Sequence, residues 1–493
     1  MSTRRGANSR WRAVHVAKHE GTSSLGVQIL PSLMLLFIAC GTNTRMADAG
    51  ADAAGASDSG SGTGDAATGD AATGDAATGD AASGDTATSD ADTGDEDTGD
   101  AGPLPDFVPQ PGYFADLPAR TNATMNEVRP LGWPSGEQAG PFTNWSTAKY
   151  LPDVGQYGAY VIYGSGHLTS GEALFAGVFV RPLDGVTGWQ VRTEHAPILE
   201  GAGFGDFFAS TQTGSVGWPY PGHQYTGLIV QPAANGGTPD WGSLYTVMLG
   251  GWGGSNARAV YRFDLANPPA APTRVIDEMA IAGSGNSYPA AIEDPARGGW
   301  WTLNYNGNGP LIWTDWNTFA QTAYSEAVFN DEKDYQLSWA PELGVLVAAG
   351  GTNTGYHIRV NPVEGGQPGS WIDVPLDGTP PPNALAGIEW CPLLGKFAAY
   401  EGLVNAGAAV PAEAYVIHWL TPPADLVRGN WTWSHETLAG QGGAVIYSVI
   451  NTNNNQLYAT RPYSKFRWVP KLRSFVFGTG LSGPVQLWRP AGT

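Results

Sequence analysis

His167 and His223 are the side chains whose type and setting first suggest chemistry. His167 follows the turn Gly164-Ser165-Gly166, and His223 follows Pro221-Gly222. Two imidazoles brought together by such turns could hold a metal or polarise a ligand. The competing reading is that each bonds neighbouring backbone and fixes packing. Four acids, Glu293, Asp294, Glu389 and Glu401, occupy comparable places in repeated segments. A pair of carboxylates facing across a cleft is what glycoside cleavage needs. The aromatic fraction is 11%, and Trp252, Tyr305, Trp313, Trp316 and Tyr356 read as lying in or near turns. Rings at loop tips can stack on sugar faces or on partner side chains. Gly283-Ser284-Gly285 is only a fragment of a serine-nucleophile motif and lacks the strand-to-helix context. The ligand-binding candidates are therefore His167, His223, Tyr225, Trp252, Tyr305, Trp313 and Tyr356. No catalytic residue, metal or cofactor is assigned.

The elements that must position these residues follow from internal repetition. The chain carries 68 Gly, 37 Pro and 19 Trp but only 14% charged residues. Short aromatic and apolar runs between Gly and Pro clusters point to an all-β protein. One unit recurs: an apolar strand, a proline turn, a second strand, a glycine-rich turn, a third strand and often a Trp-bearing fourth. The prolines of the unit are Pro152, Pro232, Pro295, Pro341, Pro392 and Pro470. Their spacing, where insertions are absent, is that of a four-stranded propeller blade. Such a sheet cannot bury both faces alone, and six around an axis can. The sixth unit has three strands before the chain ends. Gly112 to Leu117 is free to supply its fourth and shut the ring, which removes exposed edges. The expected fold is one six-bladed β-propeller over 103–493, with seven blades as the alternative.

The N-terminal region is an address and a spacer. Residues 1–39 hold Arg4, Arg5, Arg10, Arg12 and Lys18 against one acid, Glu20, followed by an apolar stretch from Leu25 to Ala39. The stretch is short and broken for a membrane-spanning helix and reads as a signal peptide. It ends Ile38-Ala39-Cys40-Gly41, which resembles the bacterial lipoprotein signal with Cys40 as the lipidated residue. Acyl chains there would give a stable anchor. Residues 40–102 contain 14 acids and Arg45, and from Gly64 to Asp85 they repeat Gly-Asp-Ala-Ala-Thr. Nothing in them offsets the entropy of ordering, so they are expected to be a disordered acidic linker. Of the net charge of −20, about −11 falls on 103–493. That mild acidity argues against a nucleic-acid partner.

Three segments carry a family resemblance. Gly164-Ser165-Gly166-His167, Pro221-Gly222-His223-Gln224-Tyr225 and Ser464-Lys465-Phe466-Arg467-Trp468-Val469-Pro470 resemble turns and a closing blade of kelch-like, galactose-oxidase-type propellers. The resemblance spans about 110–490 and speaks to fold more than to activity. It implies a copper-radical site only if a cysteine precedes a Tyr-His pair. Tyr356-His357 is such a pair, but Cys391 follows it, beside Trp390 and Pro392 in an expected inner strand. A buried cysteine acting as a small apolar residue is the expected state. The reading is a monomeric lipoprotein held by lipid on Cys40 at the outer membrane or cell surface. It binds a glycan or protein ligand without catalysis. The alternative is a carbohydrate-active hydrolase or lyase with its site at the central rim.

Overall fold

The computed structural model describes residues 102–128, 147–163, 177–193, 226–251, 255–268, 272–277, 279, 289–304, 309–324, 335–350, 356–382, 387–400, 415–446, 465–478 and 483–493. They form six mainly antiparallel sheets, and the only helices among them are short 3-10 turns. The protein is an all-β, six-bladed propeller.

The first blade is Thr147–Leu151, Ala159–Tyr163, Val178–Pro182 and Gln190–Val191. The second is Leu228–Gln231, Ser243–Gly251, Ser255–Phe263 and Thr273–Ile276. The third is Pro289–Asp294, Gly299–Asn304, Leu311–Asp315 and Gln321–Tyr324. The fourth begins Gln336–Ala340, Val345–Gly350 and His357–Glu364, and both Gln367–Pro368 and Ile372–Asp373 pair with its third strand. The fifth is Gly387–Cys391, Lys396–Tyr400, Val416–Thr421 and Trp431–Thr437, with Leu376–Asp377 added in parallel outside. The sixth is Phe466–Val469, Ser474–Gly478 and Val485–Trp488. Tyr113–Asp116 pairs antiparallel with its third strand, Phe114 opposite Trp488, and Ala439–Gly440 from the fifth blade's end runs parallel outside it.

Packing is arranged between blades, one apolar core to each neighbouring pair. Tyr160, Ile162 and Phe179 of the first blade pack with Val469, Val476 and Leu487 of the sixth. The same holds for blades one and two, two and three, three and four, four and five, and five and six. Each sheet is therefore sandwiched on both faces, which explains why its strands read as continuous apolar runs rather than alternating ones. Aromatic rings fill most of this space. Phe466 and Phe475 stack at 4.3 Å, and Trp300, Trp301, Trp431 and Trp488 are fully buried.

The innermost strand of every blade ends in the proline of the repeat. Proline has no N–H for the ladder and its fixed φ opens a turn. In the fourth blade Pro341 starts a 3-10 turn closed by Gly344 at φ 59°, a left-handed conformation that suits glycine. In the sixth, Arg473 takes the equivalent place at φ 47°. The turns are tied around the ring. Lys471 Nζ donates to Pro152 O at 2.8 Å, Ala233 N to Asp153 Oδ2 at 2.8 Å, and Asn235 Nδ2 to Pro295 O at 2.9 Å. One end of the propeller thus carries a collar of six proline turns, tied to one another from the sixth blade through the first and second to the third.

Candidate functional site

Inside that collar is an open cavity of about 270 Å³, and all six prolines line it. The residues beneath them are set by register. Two places before each proline stand Tyr150, Val230, Glu293, Trp339, Trp390 and Trp468, and every one lines the cavity. The rings therefore lie on four consecutive blades, the fourth, fifth, sixth and first, and Val230 and Glu293 complete the circle. Trp390 and Trp468 are mostly buried against their cross-strand partners Phe397 and Phe475, with centroids 4.7 and 5.0 Å apart. Tyr150 and Trp339 are half-buried. One place deeper the cavity meets Lys149, Ile292, Ser338, Glu389 and Arg467.

The charged groups form two closed pairs. Lys149 Nζ lies 2.7 Å from Glu293 Oε2, reaching from the first blade to the third. Glu293 Oε1 accepts from the backbone N–H of Val230 at 2.8 Å, satisfying the free edge of the second blade's inner strand. Arg467 Nη1 lies 2.6 Å from Glu389 Oε2, and its Nε donates to Ala148 O at 3.0 Å. Inner strands present such unpaired edge groups to the axis, and buried donors and acceptors need partners. Glu342 stands at the mouth, exposed, and accepts from Trp390 Nε1 at 2.8 Å.

Burial lowers the Lys149 ammonium to about 8, against the raising effect of Glu293. Lys465, which opens the sixth inner strand, is lowered to about 7 by burial. A lysine titrates near 10.4 in an unfolded chain. Between about pH 7 and 10 the unfolded chain therefore holds protons the folded chain has shed, and stability rises with pH across that window. The urea midpoint should be higher at pH 9.5 than at pH 7. Lys465→Met should raise the midpoint at pH 7 and flatten the slope; a midpoint that falls with pH would contradict this.

The cavity draws on residues the sequence reading did not select. Lys149, Arg467, Glu342 and the four rings were not chosen, and of the four acids noted, Glu293 and Glu389 reach the axis. Asp294 is instead buried below the third blade's turn, where it accepts from Arg297 N at 3.3 Å and Trp301 Nε1 at 3.4 Å. Burial pushes its carboxyl up. Two expected loop-tip rings are packing residues. Trp313 is 6% exposed within Leu311–Asp315, with the Arg297 guanidinium 4.2 Å over its ring. Tyr356 is 6% exposed, 5.6 Å from Trp433 between the fourth and fifth blades. Trp316, also placed near a turn, is buried. Each was set beside a turn by its flanking residues, whereas the inter-blade space claims its ring. His167, His223, Tyr225, Trp252, Tyr305, Glu401 and Cys40 lie outside the described residues. Cys391 is buried, and desolvation pushes its thiol up to about 12, a small apolar residue rather than a nucleophile.

Comparison with known proteins leaves the ligand open. No family model matches the chain, and no curated protein does. Among solved structures it is similar to an auxiliary nutrient binding protein from Bacteroides thetaiotaomicron VPI-5482, at 11% identity and TM-score 0.39, over 71% of this chain and 69% of that one. It is similar to a gluconolactonase, XC5397 from Xanthomonas campestris, at 10% identity and TM-score 0.34, over 73% and 98%. A puromycin hydrolase matches at 13% identity and TM-score 0.35, over 70% of this chain and 45% of that one.

Proposed function

We propose that this protein is a non-catalytic binding lipoprotein of the bacterial cell envelope. Lipid on Cys40 anchors it, residues 40–102 hold the propeller away from the membrane, and the axial cavity takes one end of a glycan or protein ligand. The observation that carries the reading is the contrast inside the cavity. Four aromatic residues line the cavity, Tyr150 and Trp339 half-buried and Trp390 and Trp468 nearly covered by the inter-blade cores, while Glu293 and Glu389 are closed in pairs with Lys149 and Arg467. A general acid or base must exchange its proton with substrate. These two carboxylates instead hold cations and backbone in place. Aromatic walls with a few fixed polar groups are the usual composition of a ligand pocket.

The presence of two carboxylates at one axis keeps a second reading, a carbohydrate-active hydrolase or lyase. One experiment separates them. Purified protein is applied to a glycan array and to envelope protein fractions, and every ligand retained is then incubated with enzyme-scale amounts of protein. Binding without product, weakened at least about tenfold by Trp339→Ala, is the expected result. Product formation abolished by Glu293→Gln or Glu389→Gln would replace the first reading with the second. Anchoring is checked by palmitate labelling in a bacterial host, which Cys40→Ser should abolish.

A further inference from the structure

We infer that the group seated in the axial cavity is an aliphatic ammonium, carried either by a small quaternary amine or by a lysine side chain of a protein ligand. The inference rests on the reading that this cavity binds a ligand, and it names the ligand's charge. Lys149 offsets Glu293 and Arg467 offsets Glu389, each at contact distance. Glu342 is left. Among the described residues no cation pairs with it; its partner is the indole N–H of Trp390, a neutral donor that orients the carboxylate without cancelling its charge. The net charge of the lining is therefore negative, and the carboxylate that makes it so, on the fourth blade's turn, is bonded to Trp390 of the fifth blade.

The rings add to that field. An aromatic face is negative and attracts a cation within about 6 Å, with indole the strongest. Here three indoles and a phenol line one level of the cavity on four consecutive blades; Trp390 and Trp468 are buried in the inter-blade cores, so Tyr150 and Trp339 are the rings with surface left for a cation, beside the Glu342 carboxylate. The propeller already uses its tryptophans to hold cations elsewhere. The Arg297 guanidinium lies 4.8 Å over Trp301 and 4.2 Å over Trp313, and that of Arg192 lies 3.8 Å over Trp241. The open cavity of about 270 Å³ admits a compact head group on a short stem. A neutral sugar would gain from the rings but nothing from the Glu342 charge.

The test uses the full-length protein and tryptophan fluorescence. Choline and tetramethylammonium are titrated beside 3,3-dimethyl-1-butanol, the uncharged isostere of choline, and beside neutral monosaccharides. A lysine-bearing peptide and its trimethyllysine form make the second arm. Saturable quenching by the cations of either arm, with the isostere at least about tenfold weaker, is expected. Glu342→Gln should weaken cation binding by about tenfold without moving the unfolding midpoint, since Glu342 is exposed and paired with no cation. The arm that binds more tightly identifies the source of the ammonium. Equal binding of choline and its isostere, or no effect of Glu342→Gln, overturns the inference. Binding of neutral sugars without cations overturns it while leaving the proposed function standing. If no cation, sugar or retained protein ligand is sensitive to Trp339→Ala, both fall.

Discussion

Replacing Arg467 with methionine should cost about 3–5 kcal/mol of folding free energy, the range found when one partner of a buried ion pair is removed. Arg467 lies in the sixth inner strand with 5% of its side chain exposed. One guanidinium joins three blades: Nη1 to Glu389 on the fifth, Nε to the Ala148 carbonyl on the first, and its own backbone in the sixth. It therefore spans the junction where the last blade meets the first. Methionine conserves the stem and its packing but strands a carboxylate with 17% side-chain exposure. That stranded charge, more than the lost attraction, sets the size of the effect. Urea unfolding of Arg467→Met measures it. The double variant Arg467→Met/Glu389→Leu should recover at least half the loss, because no charge is then stranded. A single-variant loss below about 1 kcal/mol would mean the network is solvated and contributes little.

The same residue shows how far the sequence could be read. Phe466-Arg467-Trp468-Val469-Pro470 declares a strand and a proline turn, and the six prolines order the blades. Local pattern suffices for that, because each blade is one short antiparallel unit. The axial site is different. Lys149, Glu293, Glu389 and Arg467 come from four blades, with Lys149 and Arg467 separated by most of the folded chain, and only ring closure makes them neighbours. A signal was nonetheless present. Aligning the repeats on their prolines places Lys149, Glu389 and Arg467 at one position and Tyr150, Trp339, Trp390 and Trp468 at the next. A charge inside an apolar strand that will be buried on both faces must have a partner across the axis. His167 and His223, beside glycine turns, look like chemistry locally and lie outside the described residues. Trp313 and Tyr356 show the limit of such a local signal, since a ring beside a turn can still be taken up by the space between blades.

The other large effect belongs to Phe114. Its ring is fully buried in the core between the fifth and sixth blades, with Trp468, Phe475 and Trp488. Its strand supplies the sixth sheet with backbone partners from the opposite end of the chain. Gly112 N donates to Arg489 O at 2.8 Å and Arg489 N to Tyr113 O at 3.0 Å, so the ladder continues past the named strand. Phe114→Ala should destabilise by about 3–5 kcal/mol, as other buried Phe→Ala changes do. The kinetics should be asymmetric. Phe114 cannot pair until Val485–Trp488 is in place, and contacts of such sequence separation form late. A residue whose contacts are absent from the transition state alters unfolding more than folding. Phe114→Ala should therefore speed unfolding by roughly a hundredfold or more and leave the refolding rate within about threefold. A chain starting at residue 119 should go further, because it bares the backbone of Val485–Trp488 as an open edge and should aggregate on refolding. One starting at residue 102 should refold as the full chain does. Refolding slowed in proportion to the lost stability would instead place the N-terminal strand in the nucleus, and the ring would then be assembled around its seam rather than sealed by it.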